Sequence, residues 1–112
     1  MGIQINKINS ISEIPADALA VVLVVLDSCD NCKPFIAGLL ERFSIGTSVS
    51  IPIFLITATM ENSDWFITRG IDSVPALMVL LDGGSISVST TEDSAVAEIM
   101  KAEETWKQSA KA

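Results

Sequence analysis

The 112-residue chain contains no histidine and no tyrosine. Without imidazole there can be no Ser-His-Asp or Cys-His relay, no histidine ligand for a metal, and no histidine to shuttle protons near neutrality. Basic residues are scarce as well, 7 against 14 acidic ones, for a net charge of −7. Such a surface argues against nucleic acid and anionic membrane as partners, because phosphate binding needs clustered Lys and Arg. It favours solubility and suits a basic partner. Long apolar runs are missing too: the most apolar stretch, Ala18 to Leu26, is far shorter than the ~20 residues of a spanning helix. The opening Met1-Gly2-Ile3-Gln4-Ile5-Asn6 has no basic region of a secretory signal, and Asn6 stands where a myristoylation pattern has Ser or Thr. A soluble cytoplasmic protein is expected. What chemistry it has must come from carboxylates, lysines, hydroxyls and two cysteines.

What is present suffices for one ordinary domain. Apolar residues make up 49 % and charged ones 19 %, a composition that folds rather than stays disordered. Ile3, Ile5 and Ile8 suggest a first strand, ended by Asn9-Ser10, and Ser12 to Asp17 a short helical turn that tolerates Pro15. Ala20 to Leu26 is apolar on both faces, as a strand covered from two sides must be. A helix fits Cys32 to about Phe43, with Phe35, Ile36, Leu39, Leu40 and Phe43 at helical spacing and Gly46 beyond its end. Next come a strand over Ile51 to Ile56 with Pro52 at its beginning, a helix over Glu61 to Thr68 closed by Gly70, and a buried strand over Ala76 to Leu81. Asp82-Gly83-Gly84-Ser85 reads as a turn into a strand over Ile86 to Ser89. A last helix starts near Thr90 or Thr91 and turns Ala95, Val96, Ile99, Met100 and Trp106 inward, with its last ten residues expected to fray. Trp65-Phe66 reads as core, and Glu103-Glu104 as a solvated face.

One constellation carries chemistry, Cys29-Asp30-Asn31-Cys32, between a buried strand and an amphipathic helix. At a helix N-terminus, unpaired N–H groups and the dipole favour a thiolate, which makes the first cysteine a nucleophile. The second can resolve a mixed disulfide formed by the first. Two other uses stay open. The pair could be structural, in a binding or scaffold module that does not turn over. It could also hold a metal: zinc needs four ligands, one chain offers two thiolates and Asp27 or Asp30, and a dimer would supply two more cysteines for zinc or an iron–sulfur cluster. Asp27 and Asp30 fit loop solvation and helix capping; as tuning groups they disfavour a nearby thiolate while Lys33 favours one, with the carboxylates slightly ahead.

The chain resembles the thioredoxin superfamily. The resemblance is carried by the strand Ala20 to Leu26, by Cys29-Asp30-Asn31-Cys32-Lys33 opening a helix, and by Gly70-Ile71-Asp72-Ser73-Val74-Pro75-Ala76-Leu77, with the Asp82-Gly83-Gly84-Ser85 hairpin and a closing helix after it. It implies an α/β fold in one domain, a central mixed sheet flanked by helices on both faces. It also implies a thiol–disulfide oxidoreductase acting on protein disulfides, with Cys29 attacking and Cys32 resolving. Val74-Pro75 would be a cis peptide whose backbone pairs with the substrate. No cofactor beyond the redox-active disulfide is implied; a separate dithiol reductase would recharge it, and a monomer is the expected state. The chain departs from thioredoxins proper at Ser28, where they have Trp, at Asp30-Asn31, where they have Gly-Pro, and at Leu23, where the family keeps a buried acid. Ala37 stands in place of a helix-kinking proline, and Thr90-Thr91 in place of a late glycine.

Overall fold

In the computed structural model, residues 5–15, 18–43, 49–82 and 84–111 are described, with side chains to residue 108. The β-branched and leucine-rich segments form one five-stranded sheet: β1 (Ile5–Lys7), β2 (Leu19–Val25), β3 (Ile53–Thr57), β4 (Ala76–Leu81) and β5 (Gly84–Ser89). Their order is β1-β3-β2-β4-β5. β1 and β2 run parallel to β3, whereas β4 and β5 are antiparallel additions. The sheet is therefore mixed, as expected. The helices are α1 (Cys32–Arg42), α2 (Ser63–Ile67) and α3 (Glu92–Lys111), with a 3-10 turn at Ile11–Glu13.

β2 is buried along six of its seven residues, because each face has a cover. Val21 and Leu23 join Phe35 and Leu39 of α1 and Ala95 and Ile99 of α3 in one core. Val22 and Val24 join Phe66 of α2, Ile8 and Ile14 in the other. This two-sided burial explains the unbroken apolar run in the sequence. Pro52 precedes β3, where a missing N–H costs no ladder bond. Gly70 has a φ of +94°, a conformation that suits glycine, and the chain reverses there after α2.

Several local expectations shift. The 3-10 turn begins at Ile11, before the Ser12 to Asp17 segment, because Ser10 and Glu13 form a capping box. Ile3, Ala16-Asp17, Gly46 and Gly83 lie outside the described residues. α3 continues to Lys111 where fraying was expected. Leu40 and Met100 are 43 % and 54 % exposed, so they lie off the inward faces of α1 and α3. Phe66 is buried and Trp65 packs edge-on against it, with the Arg69 guanidinium 3.9 Å over the Trp65 ring.

Glu103 is not on a solvated face. It is 6 % exposed, and its Oε1 accepts hydrogen bonds from the backbone N–H groups of Ser50 (2.9 Å) and Ile51 (2.8 Å), just before β3. Its Oε2 accepts no hydrogen bond among the described residues and lies 3.7 Å from the Lys107 ammonium. α3 is thus fastened to the chain that enters the sheet.

At the other end of α3, Arg42 of α1 reaches Glu92 (3.2 Å) and Asp93 (2.5 Å). Asp93 first, then Glu92, raise the guanidinium pKa above its ordinary value by hydrogen bonding. A Cβ added to Gly38 would collide with the Glu92 carboxylate, the movable end of a flexible side chain. Gly38→Ala should gain about 0.5–1 kcal/mol of helix propensity and weaken an exposed ion pair worth less than about 1 kcal/mol. Urea unfolding should place the variant within about 1 kcal/mol of the parent. A loss above about 2 kcal/mol would mean that Glu92 cannot move aside.

Candidate active site

The C-terminal end of β2 releases the chain into two tight turns. The Cys29 N–H donates to the Leu26 carbonyl (3.2 Å), and the Cys32 N–H to the Cys29 carbonyl (3.4 Å). The second turn leads into α1. Its N-cap position is held by Asn31, which makes no side-chain capping bond, so Asp30 does not cap the helix. Cys29 and Cys32 are joined as a disulfide with their Cα atoms 5.4 Å apart. Cys29 is half-buried and Cys32 is 3 % exposed. Cys29 is thus the more accessible of the two residues.

Val74 and Pro75 stand beside the first turn of α1, and the peptide between them is cis. Both are half-buried. They form a ridge between two depressions. On one side a crevice of about 450 Å³ is lined by Asn31, Pro34, Phe35, Ser73, Thr90 and Glu92 together with the ridge itself. On the other, an apolar groove of about 340 Å³ runs from Leu26 past Phe66, Ile67 and Ile71 to Val74. Leu26 and Ile67 are 40 % and 61 % exposed, and Leu26 also lines a hollow against the disulfide. Asn62 holds the groove's α2 wall in place: its side chain accepts from the Thr59 N–H (2.7 Å) and donates to the Thr57 carbonyl (3.2 Å).

A third hollow, about 170 Å³, lies against the disulfide. Both cysteines line it, with Asp27 from the loop, Lys33 from α1, Thr57 from β3 and Lys7 from β1. Asp27 and Lys33 therefore share a space with the sulfurs, whereas Asp30 projects from the turn, exposed, and lines neither this hollow nor the crevice. Leu23 is 1 % exposed and packed in the α1–α3 core, so the site has no carboxylate at that position. Sequence reasoning missed Lys7, Thr57, Ser73 and Glu92. The first two come from strands distant in the chain; Ser73 and Glu92 adjoin residues already singled out. Among the described residues no group of three or more His, Cys, Asp or Glu side chains gathers as a metal site, and no helix is long and apolar enough to cross a membrane.

No family model matches the sequence, and no curated protein does either. Solved structures do match. Thioredoxin from Malassezia sympodialis superimposes with a TM-score of 0.71 at 16 % identity, over 92 % of this chain and 93 % of that one. The short form of spinach chloroplast thioredoxin f gives 0.68 at 18 % identity, over 88 % and 92 %. A thioredoxin f2 in a complex with ferredoxin:thioredoxin reductase gives 0.68 at 18 % identity, over 88 % and 94 %. The chain has the thioredoxin fold, with a Cys-x-x-Cys disulfide at the head of its first α-helix.

Proposed function

We propose that this protein is a thiol–disulfide oxidoreductase that reduces protein disulfides. The observation that carries the reading is the Cys29–Cys32 disulfide, its first cysteine half-buried and its second buried, at the head of a helix whose first turn shares a crevice with the Val74-Pro75 ridge. In the reduced protein the Cys29 thiolate attacks one sulfur of a substrate disulfide. The substrate S–S bond breaks, a mixed disulfide forms, and one substrate thiolate leaves. Cys32, deprotonated, then attacks the Cys29 sulfur, which releases the second substrate thiolate and forms the Cys29–Cys32 disulfide. Two electrons pass to the substrate, and the two protons lost by the cysteines balance those taken up by its thiolates.

Substrate binding falls to the ridge. The Val74 backbone pairs with an extended segment, and the apolar groove takes one of its side chains. The disulfide is the only redox group needed, and a separate dithiol reductase restores the dithiol; the reductase complex of the similar thioredoxin f2 supports such a partner. Asp27, Asp30 and Lys33 tune the thiolate. The protein works as a cytoplasmic monomer.

Turnover tests the reading. With excess dithiothreitol and a disulfide-bonded protein substrate, catalytic amounts should accelerate the appearance of substrate thiols in proportion to protein concentration. No acceleration above dithiothreitol alone would leave a binding module in place of an enzyme.

A further inference from the structure

The hollow against the disulfide has a charge balance that chain order conceals. Counted along the sequence, Cys29 has two carboxylates nearby, Asp27 and Asp30, and one lysine, Lys33. Counted in space, the hollow that both cysteines line holds Lys7 and Lys33 against Asp27 alone. The strand period puts Lys7 there. Ile5 packs against the α1–α3 core, and side chains two apart on a strand share a face. Lys7 pairs in register with Leu55, which packs on the same core, while Ile8 turns into the opposite one. Lys7 is therefore on the α1 side of the sheet, at the end of β1 that meets the cysteines. Leu55 and Thr57, the contributions of β3, are uncharged. The charged residues that line the hollow sum to one net positive charge in a chain whose total is −7.

The geometry points to Lys7 as an electrostatic positioning residue for the dithiol, acting with Lys33 and against Asp27 to hold a thiolate at the cysteine pair of the reduced protein. The inference rests on the dithiol cycle proposed above. An opposite charge a few ångströms from a thiol favours its ionised form, and solvent exposure reduces the effect. Lys7 and Lys33 are both exposed, so the contribution of each is moderate.

The test is the pH profile of iodoacetamide alkylation of the fully reduced protein, read at Cys29 by mass. Lys7→Gln should raise the midpoint by about half a pH unit and slow alkylation at pH 7 about threefold. Lys7→Arg should keep the parent midpoint, and Lys7→Glu should move it about twice as far as Gln. Salt at 1 M should shrink these differences, since charges at this exposure are screened. Lys101→Gln, on α3 beside β5 and away from the cysteines, serves as the control for a general loss of positive charge. A Lys7→Gln midpoint equal to the parent's, or a shift reproduced by Lys7→Arg or by Lys101→Gln, would overturn the inference. Alkylation reads the thiolate whether or not the protein turns over. A midpoint shift without turnover would therefore defeat the proposed function alone, and turnover without a shift would defeat the role of Lys7 alone.

Discussion

Cys29→Ser should reduce the acceleration of disulfide reduction to the dithiothreitol background, and Cys32→Ser should accumulate a covalent adduct with the substrate. The two outcomes differ because the proposed cycle gives the two sulfurs different work. Cys29 is the half-buried one, open to a substrate sulfur, and a serine hydroxyl in its place is a very weak nucleophile at neutral pH. Cys32 is 3 % exposed at the head of α1, and in the proposed cycle it strikes the Cys29 sulfur. Without it the first attack still occurs and the mixed disulfide has no intramolecular exit. Non-reducing mass spectrometry should show the Cys32→Ser protein heavier by one substrate molecule, and the adduct should dissolve on adding dithiothreitol. An adduct on Cys29→Ser in place of Cys32→Ser would reverse the assignment.

Glu103→Ala should be strongly destabilising although it lies on the surface of no candidate site. The carboxylate is 6 % exposed and accepts from two backbone N–H groups, that of Ile51 being buried. Hydrogen bonds to a charged acceptor are the stronger kind, and an orphaned buried donor loses its hydration without compensation. Alanine should therefore cost about 3 kcal/mol, which in a domain of this size lowers the melting temperature by roughly 10 °C. Glutamine keeps an oxygen at the Oε1 position and should cost about 1 kcal/mol. Urea unfolding of both variants checks the order, and equal losses would mean that the negative charge, which both variants lack, and not the two acceptor bonds sets the cost. Because this clamp lies far along α3 from the cysteines, alkylation of Cys29 should change little in either variant.

Glu103 shows how far the sequence reaches. Beside Glu104 it looks like part of an acidic surface, yet it follows Ile99 by four residues and precedes Trp106 by three, so it lies on the inward stripe of α3. The helical period was legible; its buried partners, the N–H groups of Ser50 and Ile51, were not, because they come from a loop more than fifty residues away. The same division runs through the fold. Strands such as Ala76–Leu81 and the helix opening at Cys32 announce themselves, since apolar runs and a local Cys-x-x-Cys are properties of contiguous residues. Leu40 and Met100 are exposed because each sits one residue round from a buried neighbour, Leu39 and Ile99, and periodicity alone does not say where the stripe ends. At the site, Cys29, Cys32, Val74 and Pro75 could be named from their motifs. Lys7 could not: nothing local marks it, and only the pairing of β1 with β3 carries it to the disulfide.

If the cysteine pair is a working dithiol, a redox titration will show it. The protein is equilibrated against mixtures of reduced and oxidised dithiothreitol, quenched by alkylation, and counted by mass. A single reversible two-electron transition below about −200 mV is predicted, the range of dithiols that reduce other proteins. Cysteines that stay alkylatable across the whole series, or a transition well above about −200 mV, would contradict the account. The first result would leave no catalytic disulfide, and the second would make the protein an oxidant in place of a reductant.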